Sequence, residues 1–311
     1  MNPLQGLYDQ CNAPKSDLGD TPIMLDVEVT DTCNFRCIMC PTGNRAMKRP
    51  SGFMSQKTFD RIIEEAEGRV KALRFIGWGE PTLNKELVLF ISKATEAGLL
   101  THLNTNGSKI NQYIAEALVD SGLTSIKFSF QGVDRDSYAK MRKIDFFNGM
   151  LESINQVGLA RGNHKYPFIA ASTTTTDETP EQIEGFVSIL EPMVDQLSIG
   201  KTIFGFIDMK AARLTPTERT MIETMIETEA DRLVHPDPCP EVFDKLTIQW
   251  DGSVRVCCND YNGKTNLGNI NTDSLLDIWT HPVIEEYRDR LAQGDYGSEL
   301  CKTCWSYLES P

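Results

Sequence analysis

Six short apolar runs, separated by five segments with apolar residues at helical spacing, restrict the fold more than any other feature of the chain. Ser55 and Asn84 stand where the N-caps of two of these helices are expected. Strict alternation predicts a parallel sheet covered by helices, and eight such units would close a TIM barrel. Six units predict an α/β fold that is a partial barrel or an open sheet. The predicted strands are 23–30, 70–77, 99–107, 125–132, 168–175 and 194–200.

The chain after residue 240 has a different pattern. Residues 245–258 predict a β-hairpin around the tight turn Asp251-Gly252, and residues 272–294 predict two short helices broken at Pro282. Three prolines in residues 232–240 indicate a linker. The expected organisation is an N-terminal extension (1–22), a barrel domain (23–232) and a small C-terminal α+β domain (233–311).

The nine cysteines fall into two separated groups. None stands between Cys40 and Cys239. In a reducing compartment, clustered cysteines bind metal more often than they form disulfides. The distribution therefore predicts two metal centres, one near each end of the chain.

The first group, Cys33, Cys37 and Cys40, has the spacing C-x3-C-x2-C and directly follows the first predicted strand. Structural zinc takes four ligands, whereas a cubane [4Fe–4S] cluster held by three cysteines leaves one iron open to another ligand. The spacing favours such an open cluster. Zinc completed by a distant histidine, or three unrelated thiols, are the alternatives.

The second group can close a metal site completely. Together with Gly252 its spacing is C-x12-G-x4-C, followed by C-x2-C. Four cysteines suit a [4Fe–4S] cluster with every iron ligated, and they also suit tetrahedral zinc, so spacing alone does not decide between them. The four cysteines are Cys239, Cys257, Cys301 and Cys304.

The first cysteine loop, at the end of the first strand, resembles the radical S-adenosylmethionine (SAM) superfamily. The resemblance implies a partial (βα)6 TIM barrel whose open iron holds the amino and carboxylate groups of SAM. It also implies that an electron from the reduced cluster cleaves SAM, and that the resulting 5′-deoxyadenosyl radical takes a hydrogen atom from the substrate. A flavodoxin- or ferredoxin-type protein is the expected reductant.

Motifs at the ends of later strands fit the same family. "GWGEP" (77–81) resembles the motif that holds the SAM amino group, and "NTNG" (104–107) and "SFQG" (129–132) end the next two strands. Ligands bind at the carboxyl ends of parallel strands. Met39 stands where the family often has an aromatic residue, which weakens stacking on adenine. The expected SAM-binding residues are Met39, Gly77, Trp78, Gly79, Glu80, Asn104, Asn106, Ser129 and Gln131.

The C-terminal region resembles the SPASM/twitch extension of this superfamily, similar to that of aminocyclitol- and aminoglycoside-tailoring dehydrogenases and epimerases. With the four cysteines above, the resemblance implies one auxiliary [4Fe–4S] cluster, so two clusters are expected in all. Cys11 and Cys258 remain. Cys258 follows Cys257 directly, so on a strand its side chain faces the opposite way. It is a candidate hydrogen-atom donor, an alternative cluster ligand or a packed small residue.

The expected reaction is hydrogen abstraction from a carbinol carbon of a sugar or cyclitol, with or without a nucleotide or phosphate group. Epimerisation would use Cys258 as donor, and dehydrogenation would need a base such as Lys201. Cationic side chains for a phosphate are Arg142, Lys143, Lys201 and Lys210, although surface roles are open for each.

Two other functions stay open. The alternative substrate is a ribosomally made peptide. The 22 residues before the first strand leave little room for a peptide-recognition domain, which places this reading second. A non-catalytic iron–sulfur or zinc protein is the other alternative.

Charge and hydropathy exclude some partners. The formal net charge is −13, and no apolar run approaches the roughly 18 residues of a membrane span. We expect no nucleic acid or membrane partner. The N-terminus shows no signal-peptide pattern, so a cytoplasmic location is expected.

Overall fold

A computed structural model describes residues 1–12, 19–230, 233–235, 239, 241–304 and 306–307. Its main feature is an eight-stranded sheet in the order β6-β5-β4-β3-β2-β1-β8-β9. The strands are β1 (Met24–Val27), β2 (Ala72–Phe75), β3 (Leu100–Thr105), β4 (Ser125–Ser129), β5 (Phe168–Thr175), β6 (Gln196–Lys201), β7 (Leu233–Val234), β8 (Lys245–Ile248), β9 (Val254–Arg255) and β10 (Ser306–Tyr307). The helices are α1 (Gln5–Asn12), α2 (Gln56–Ala66), α3 (Leu87–Glu96), α4 (Gln112–Asp120), α5 (Arg135–Arg142), α6 (Phe147–Arg161), α7 (Pro180–Leu190), α8 (Pro216–Glu229), α9 (Glu241–Asp244), α10 (Leu275–Trp279) and α11 (Pro282–Ala292).

Strands β1 to β6 are parallel neighbours in chain order, which confirms the predicted α/β architecture with a parallel sheet. The sheet is curved. Electrostatic interactions reach Lys127 on β4 from Arg74 on β2 and Asp26 on β1, three strands away. A flat sheet would hold side chains of β1 and β4 well apart, since neighbouring strands lie about 4.8 Å from each other.

The two faces of the sheet differ in polarity. On β4, Ile126 and Phe128 are fully buried in the main apolar core under the helices. Side chains alternate along a strand, so Ser125, Lys127 and Ser129 point to the concave face. The core therefore lies between sheet and helices, and the inside of the barrel is polar.

The C-terminal hairpin extends the barrel sheet, which the sequence does not predict. β8 pairs with β1 in parallel, with Asp26 opposite Thr247. β9 turns back antiparallel, and Gly252 adopts φ +86° in the turn. The predicted hairpin is therefore present. Most of the predicted linker (232, 236–238 and 240) lies outside the described residues, although β7 pairs with β10.

The N-caps predicted for two helices have different outcomes in the structure. Ser55 accepts a hydrogen bond from the Thr58 N–H at 3.2 Å and caps α2, as predicted. The predicted cap at Asn84 is wrong, because a short 3-10 turn precedes α3 and Glu86 takes the cap position. Asn84 instead donates to the carbonyls of Val29 and Met54, both at 3.1 Å.

Helix α1, which the sequence does not predict, covers the amino ends of the strands. Leu4 is fully buried against Met24 and Ala72. Tyr8 lies beside Arg74, whose guanidinium is 5.9 Å from the ring centre. The barrel is thus closed at the end opposite the cysteine loop. In the described part of the chain, no helix has the length and apolarity needed to cross a membrane.

Candidate active site

The first cysteine loop follows β1, and N–H groups of the protein donate hydrogen bonds to its sulfur atoms. The Phe35 N–H donates to Cys33 Sγ at 3.5 Å, and the Asn106 amide donates to the same sulfur at 3.8 Å. Arg142 Nη1 lies 3.6 Å from Cys37 Sγ. Burial raises the pKa of Cys33 to about 11 and that of Cys40 to about 12. The thiols are close enough to raise one another's pKa, so the structure brings the three cysteines together.

The loop after β2 packs against the extension of β1. A Cβ on Gly77 would lie 2.4 Å from Glu28 Cγ, and one on Gly79 would lie 2.2 Å from the Thr30 carbonyl oxygen. Glycine is therefore required at both positions by close approach. The Trp78 N–H donates to Glu28 Oε2 at 3.0 Å, and Glu28 also pairs with Arg49.

Glu80 organises the loop ends and is itself fully buried inside them. Its carboxylate accepts from Thr82 Oγ1 at 2.6 Å, Thr105 Oγ1 at 2.7 Å and the Asn106 N–H at 2.6 Å. These bonds tie the loop after β2 to the loop after β3. These contacts suit Glu80 to orienting the loop after β2.

The other expected SAM-binding residues are spread around the strand ends. The Ser129 carbonyl accepts a hydrogen bond from Arg142. Gln131 donates to Thr202 Oγ1 at 2.6 Å, so it links the segment after β4 to the segment after β6. Met39 is half-buried between two apolar clusters. Asn104 lies two residues deeper in β3 than Asn106. Its Oδ1 is 2.7 Å from His102 Nε2.

The second cysteine group surrounds one cavity of about 380 Å³. Its lining includes all four predicted ligands: Cys239, Cys257, Cys301 and Cys304. Burial raises the pKa of Cys239 and of Cys304 to about 11.

Both donor sets fit iron–sulfur clusters. Buried bare thiolates are costly, as their raised pKa values show, and a cationic cluster would offset that cost. Backbone N–H groups already point at the sulfurs, from Thr42 and Gly43 to Cys40 and from Glu241 and Val242 to Cys239. Such donors favour the thiolate form that ligates iron.

Comparison with protein-family models agrees with this geometry. Residues 27–187 match the model described as the radical SAM superfamily. The chain belongs to the radical SAM superfamily. Residues 239–305 match the SPASM model, described as an iron–sulfur cluster-binding domain. This radical SAM enzyme therefore uses SAM and iron–sulfur clusters, including an auxiliary cluster.

Relatives and solved structures show what the chain is similar to. It is 30% identical over 260 residues to a GTP 3′,8-cyclase of Sinorhizobium medicae, covering 78% of this chain and 66% of that protein. It is 26% identical over 290 residues to the molybdenum cofactor biosynthesis protein moc-5 of Caenorhabditis elegans, covering 89% and 47%. The chain spans about half the length of several of these curated relatives.

Among solved structures, BtrN in complex with AdoMet and 2-DOIA shares the fold with a TM-score of 0.59 at 20% identity. The alignment covers 93% of this chain and 94% of BtrN. SuiB of Streptococcus suis has a TM-score of 0.68 at 16% identity, covering 91% of this chain and 70% of SuiB. These likenesses show a common fold.

Cys258 lines the same cavity as the four predicted auxiliary ligands, and it also has carboxylate neighbours. Its Sγ and carboxylate oxygens of Asp26 and Glu241 all lie within 4.8 Å of one another. Asp26 is on the concave face of β1, so the thiol borders the inside of the barrel. The backbone carbonyl of Cys258 accepts a hydrogen bond from the Trp78 indole N–H at 2.7 Å. The segment with the spare thiol is thus bonded directly to the predicted SAM-binding loop.

Polar side chains of Asp26, Arg74, His102 and Ser125 form a floor inside the barrel, which was not predicted from the sequence. Arg74 makes two bonds to the Asp26 carboxylate, at 2.5 and 2.6 Å. His102 is buried, with Nδ1 2.6 Å from Ser125 Oγ, and burial lowers its pKa to about 3. Above the floor, Asn104 and Lys127 remain partly accessible, which places open space beside them.

A sequence signal for this floor exists. Parallel barrel strands are usually apolar on both faces. Here "LDVEV" and "SIKFS" alternate polar and apolar residues with a period of two, and "LTHLNT" has polar residues at His102 and Asn104, two positions apart. Such alternation indicates a polar interior face.

The cationic residues that the sequence suggested for a phosphate group do not lie on this polar floor. Lys143 is exposed and pairs with Glu218 at 2.7 Å, and Lys210 is exposed. Arg142 lies at the first cysteine loop. Lys201 ends β6 and is half-buried.

Proposed function

We propose that this radical SAM enzyme abstracts a hydrogen atom from a carbinol carbon of a sugar or cyclitol, and that Cys258 returns one to the opposite face. The product would be an epimer. The observation that supports the proposal is the proximity of Cys258 Sγ, within 4.8 Å, to a carboxylate oxygen of Asp26, a residue on the concave face of β1.

The polar interior supports a polyhydroxylated substrate. Donors and acceptors there include an amide, hydroxyl groups and an ammonium group, from Asn104, Ser129 and Lys127. Hydroxyl groups of a buried substrate need such partners, because an unpaired buried polar group costs about 1–3 kcal/mol. An apolar peptide side chain would leave these groups unsatisfied.

The residues of this chain then have distinct tasks. Bound SAM and the clusters supply the 5′-deoxyadenosyl radical and one-electron chemistry. Cys258 gives its S–H hydrogen atom to the substrate carbon radical, forming the new C–H bond. One electron from a flavodoxin- or ferredoxin-type reductant and one proton restore the thiol. Dehydrogenation would instead require a base, and the substrate radical would lose an electron and its hydroxyl proton.

The test uses Cys258→Ala in deuterated water, with a panel of sugars and cyclitols. Wild-type enzyme should form an epimer with one solvent deuterium at the inverted carbon. Cys258→Ala should still release 5′-deoxyadenosine, while epimer formation falls by about 100-fold or more, because the substrate radical loses the proposed hydrogen-atom donor. Cys11→Ala is the matched cysteine control and should behave as wild type.

Two outcomes would count against the proposal. Unchanged epimerisation and deuterium incorporation in Cys258→Ala would exclude the donor role. A ketone product from the wild-type enzyme would assign dehydrogenation instead.

We also propose domain limits of 23–232 for the barrel and 233–311 for the auxiliary domain. The matched ranges 27–187 and 239–305 support these limits. β1 of the barrel pairs with β8 of the auxiliary domain, so the two proposed domains share one sheet.

A further inference from the structure

We propose that Lys127 and Asn104 together bind an anionic group of the substrate, a carboxylate or a phosphate, inside the barrel. This rests on the proposed function, because that proposal makes the barrel interior the substrate chamber. The substrate would then be a sugar acid or a sugar phosphate.

The two side chains stand next to each other on the same face. Asn104 on β3 is the register partner of Lys127 on β4. Neighbouring parallel strands are about 4.8 Å apart, and paired residues point to the same side. An ammonium and an amide group are therefore presented side by side to the open space within the barrel.

Buried neighbours orient the amide. Ser125 Oγ lies 2.6 Å from His102 Nδ1, and His102 Nε2 lies 2.7 Å from Asn104 Oδ1. His102 stays neutral, since its pKa is about 3, so the hydroxyl donates to Nδ1 and the ring donates to Asn104. The Asn104 oxygen is thereby occupied, and its NH₂ group is left for a ligand.

Lys127 carries a charge that no ion pair neutralises in the described residues. Arg74 is already paired with Asp26, and Lys245 is paired with Glu241 at 2.7 Å. Within the described parts of the chain, Lys127 has no hydrogen bond or ion pair. Burial and the Arg74 charge lower its pKa more than the Asp26 charge raises it, so the Asp26 carboxylate, which is paired with Arg74, does not fully compensate the ammonium. An anionic ligand supplies one and makes charge-assisted hydrogen bonds.

The test is calorimetric binding to anaerobic holoenzyme with SAM present. The probes are D-glucuronate, glucose 6-phosphate and inorganic phosphate, with D-glucose as the neutral control. At least one anionic sugar should bind about tenfold more tightly than glucose, the gain expected from one charge-assisted bond. The tighter of the two anionic sugars identifies the group.

Variants locate the effect. Lys127→Met should abolish the preference for the anionic sugar, and Lys127→Arg should retain most of it. Asn104→Asp should weaken anion binding by placing a fixed carboxylate beside Lys127. Lys140→Met is the control, since Lys140 is exposed and pairs with Asp177 at 3.1 Å. Iron content should stay at the wild-type level in all variants.

Equal binding of charged and neutral sugars, failure of both anionic sugars to bind, or an unchanged preference in Lys127→Met would overturn the proposal. Calorimetry requires no turnover. Lys127-dependent anion binding without hydrogen abstraction from any carbinol substrate would therefore count against the proposed function alone.

Discussion

Lys127 lies between two core residues, yet its own side chain reaches partly accessible space inside the barrel. Ile126 and Phe128 fix the strand by burial under the helices, so the lysine cannot turn outward without unpacking them. The charged and titratable groups that face it are Arg74, Asp26 and His102. The fold holds these charges in place at some cost in stability.

That cost gives a pH-dependent prediction for stability. The pKa of Lys127 is lower in the folded than in the unfolded protein, so the unfolded state binds more protons between the two values. The destabilisation is full below the folded pKa and is relieved as the pH rises toward about 10.5. Lys127→Met should raise the Tm at pH 7 by about 2 °C, and by less at pH 9.5. An equal or lower Tm at pH 7 would contradict this account.

Glu80 yields a second prediction at the scale of one residue. In Glu80→Gln, the side-chain NH₂ group would face one of the groups that now donate a hydrogen bond to the carboxylate. That buried donor would lose its acceptor. Since that costs about 1–3 kcal/mol, we expect SAM affinity to fall by roughly tenfold. Calorimetric SAM binding checks this. Glu96→Gln, at an exposed position, is the control, and equal affinity in both variants would refute the role of Glu80.

Between elements, one side chain joins the loop after β2 to the segment after β9. Trp78 packs against Phe206 and Tyr261, with ring centres 6.0 and 5.7 Å apart, and bonds the Cys258 carbonyl. The predicted SAM loop and the predicted auxiliary cysteines are thereby coupled mechanically.

Trp78→Phe should loosen this connection. The lost hydrogen bond is worth about 1 kcal/mol, so iron release to a chelator should become a few-fold faster. Trp250→Phe is a matched control, because its indole makes a longer bond of 3.3 Å to Pro50. Equal release from the two variants would show that the bond does not hold the segment.

Helix α1 closes the barrel by packing, which gives a prediction for stability. Leu4→Ala removes the fully buried side chain directly before α1, which anchors the helix to the strands, and should cost about 2–5 kcal/mol. The expected fall in Tm is roughly 5 °C or more. Leu159, with 67% exposure, gives the control Leu159→Ala. Similar Tm values for the two variants would mean that α1 contributes little to the closed end.

For the whole molecule, the features that could be predicted from the sequence are those set by residues close together in the chain. The strand–helix alternation predicted the parallel sheet, and the cysteine spacing indicated the superfamily. Long-range pairing was out of reach: β8 joins β1 across more than 200 residues, and register alone brings Asn104 beside Lys127. Glu80 could be named from its motif, but its partners on the next loop could not.

The central claim is that the radical formed from SAM takes hydrogen from a carbinol carbon. The most direct test supplies C-deuterated sugars, sugar phosphates, sugar acids and cyclitols to anaerobic holoenzyme and measures deuterium in 5′-deoxyadenosine. The account predicts label transfer from one carbinol position of an anionic member. Release of unlabelled 5′-deoxyadenosine with every member, or label transfer only from a deuterated peptide, would contradict it.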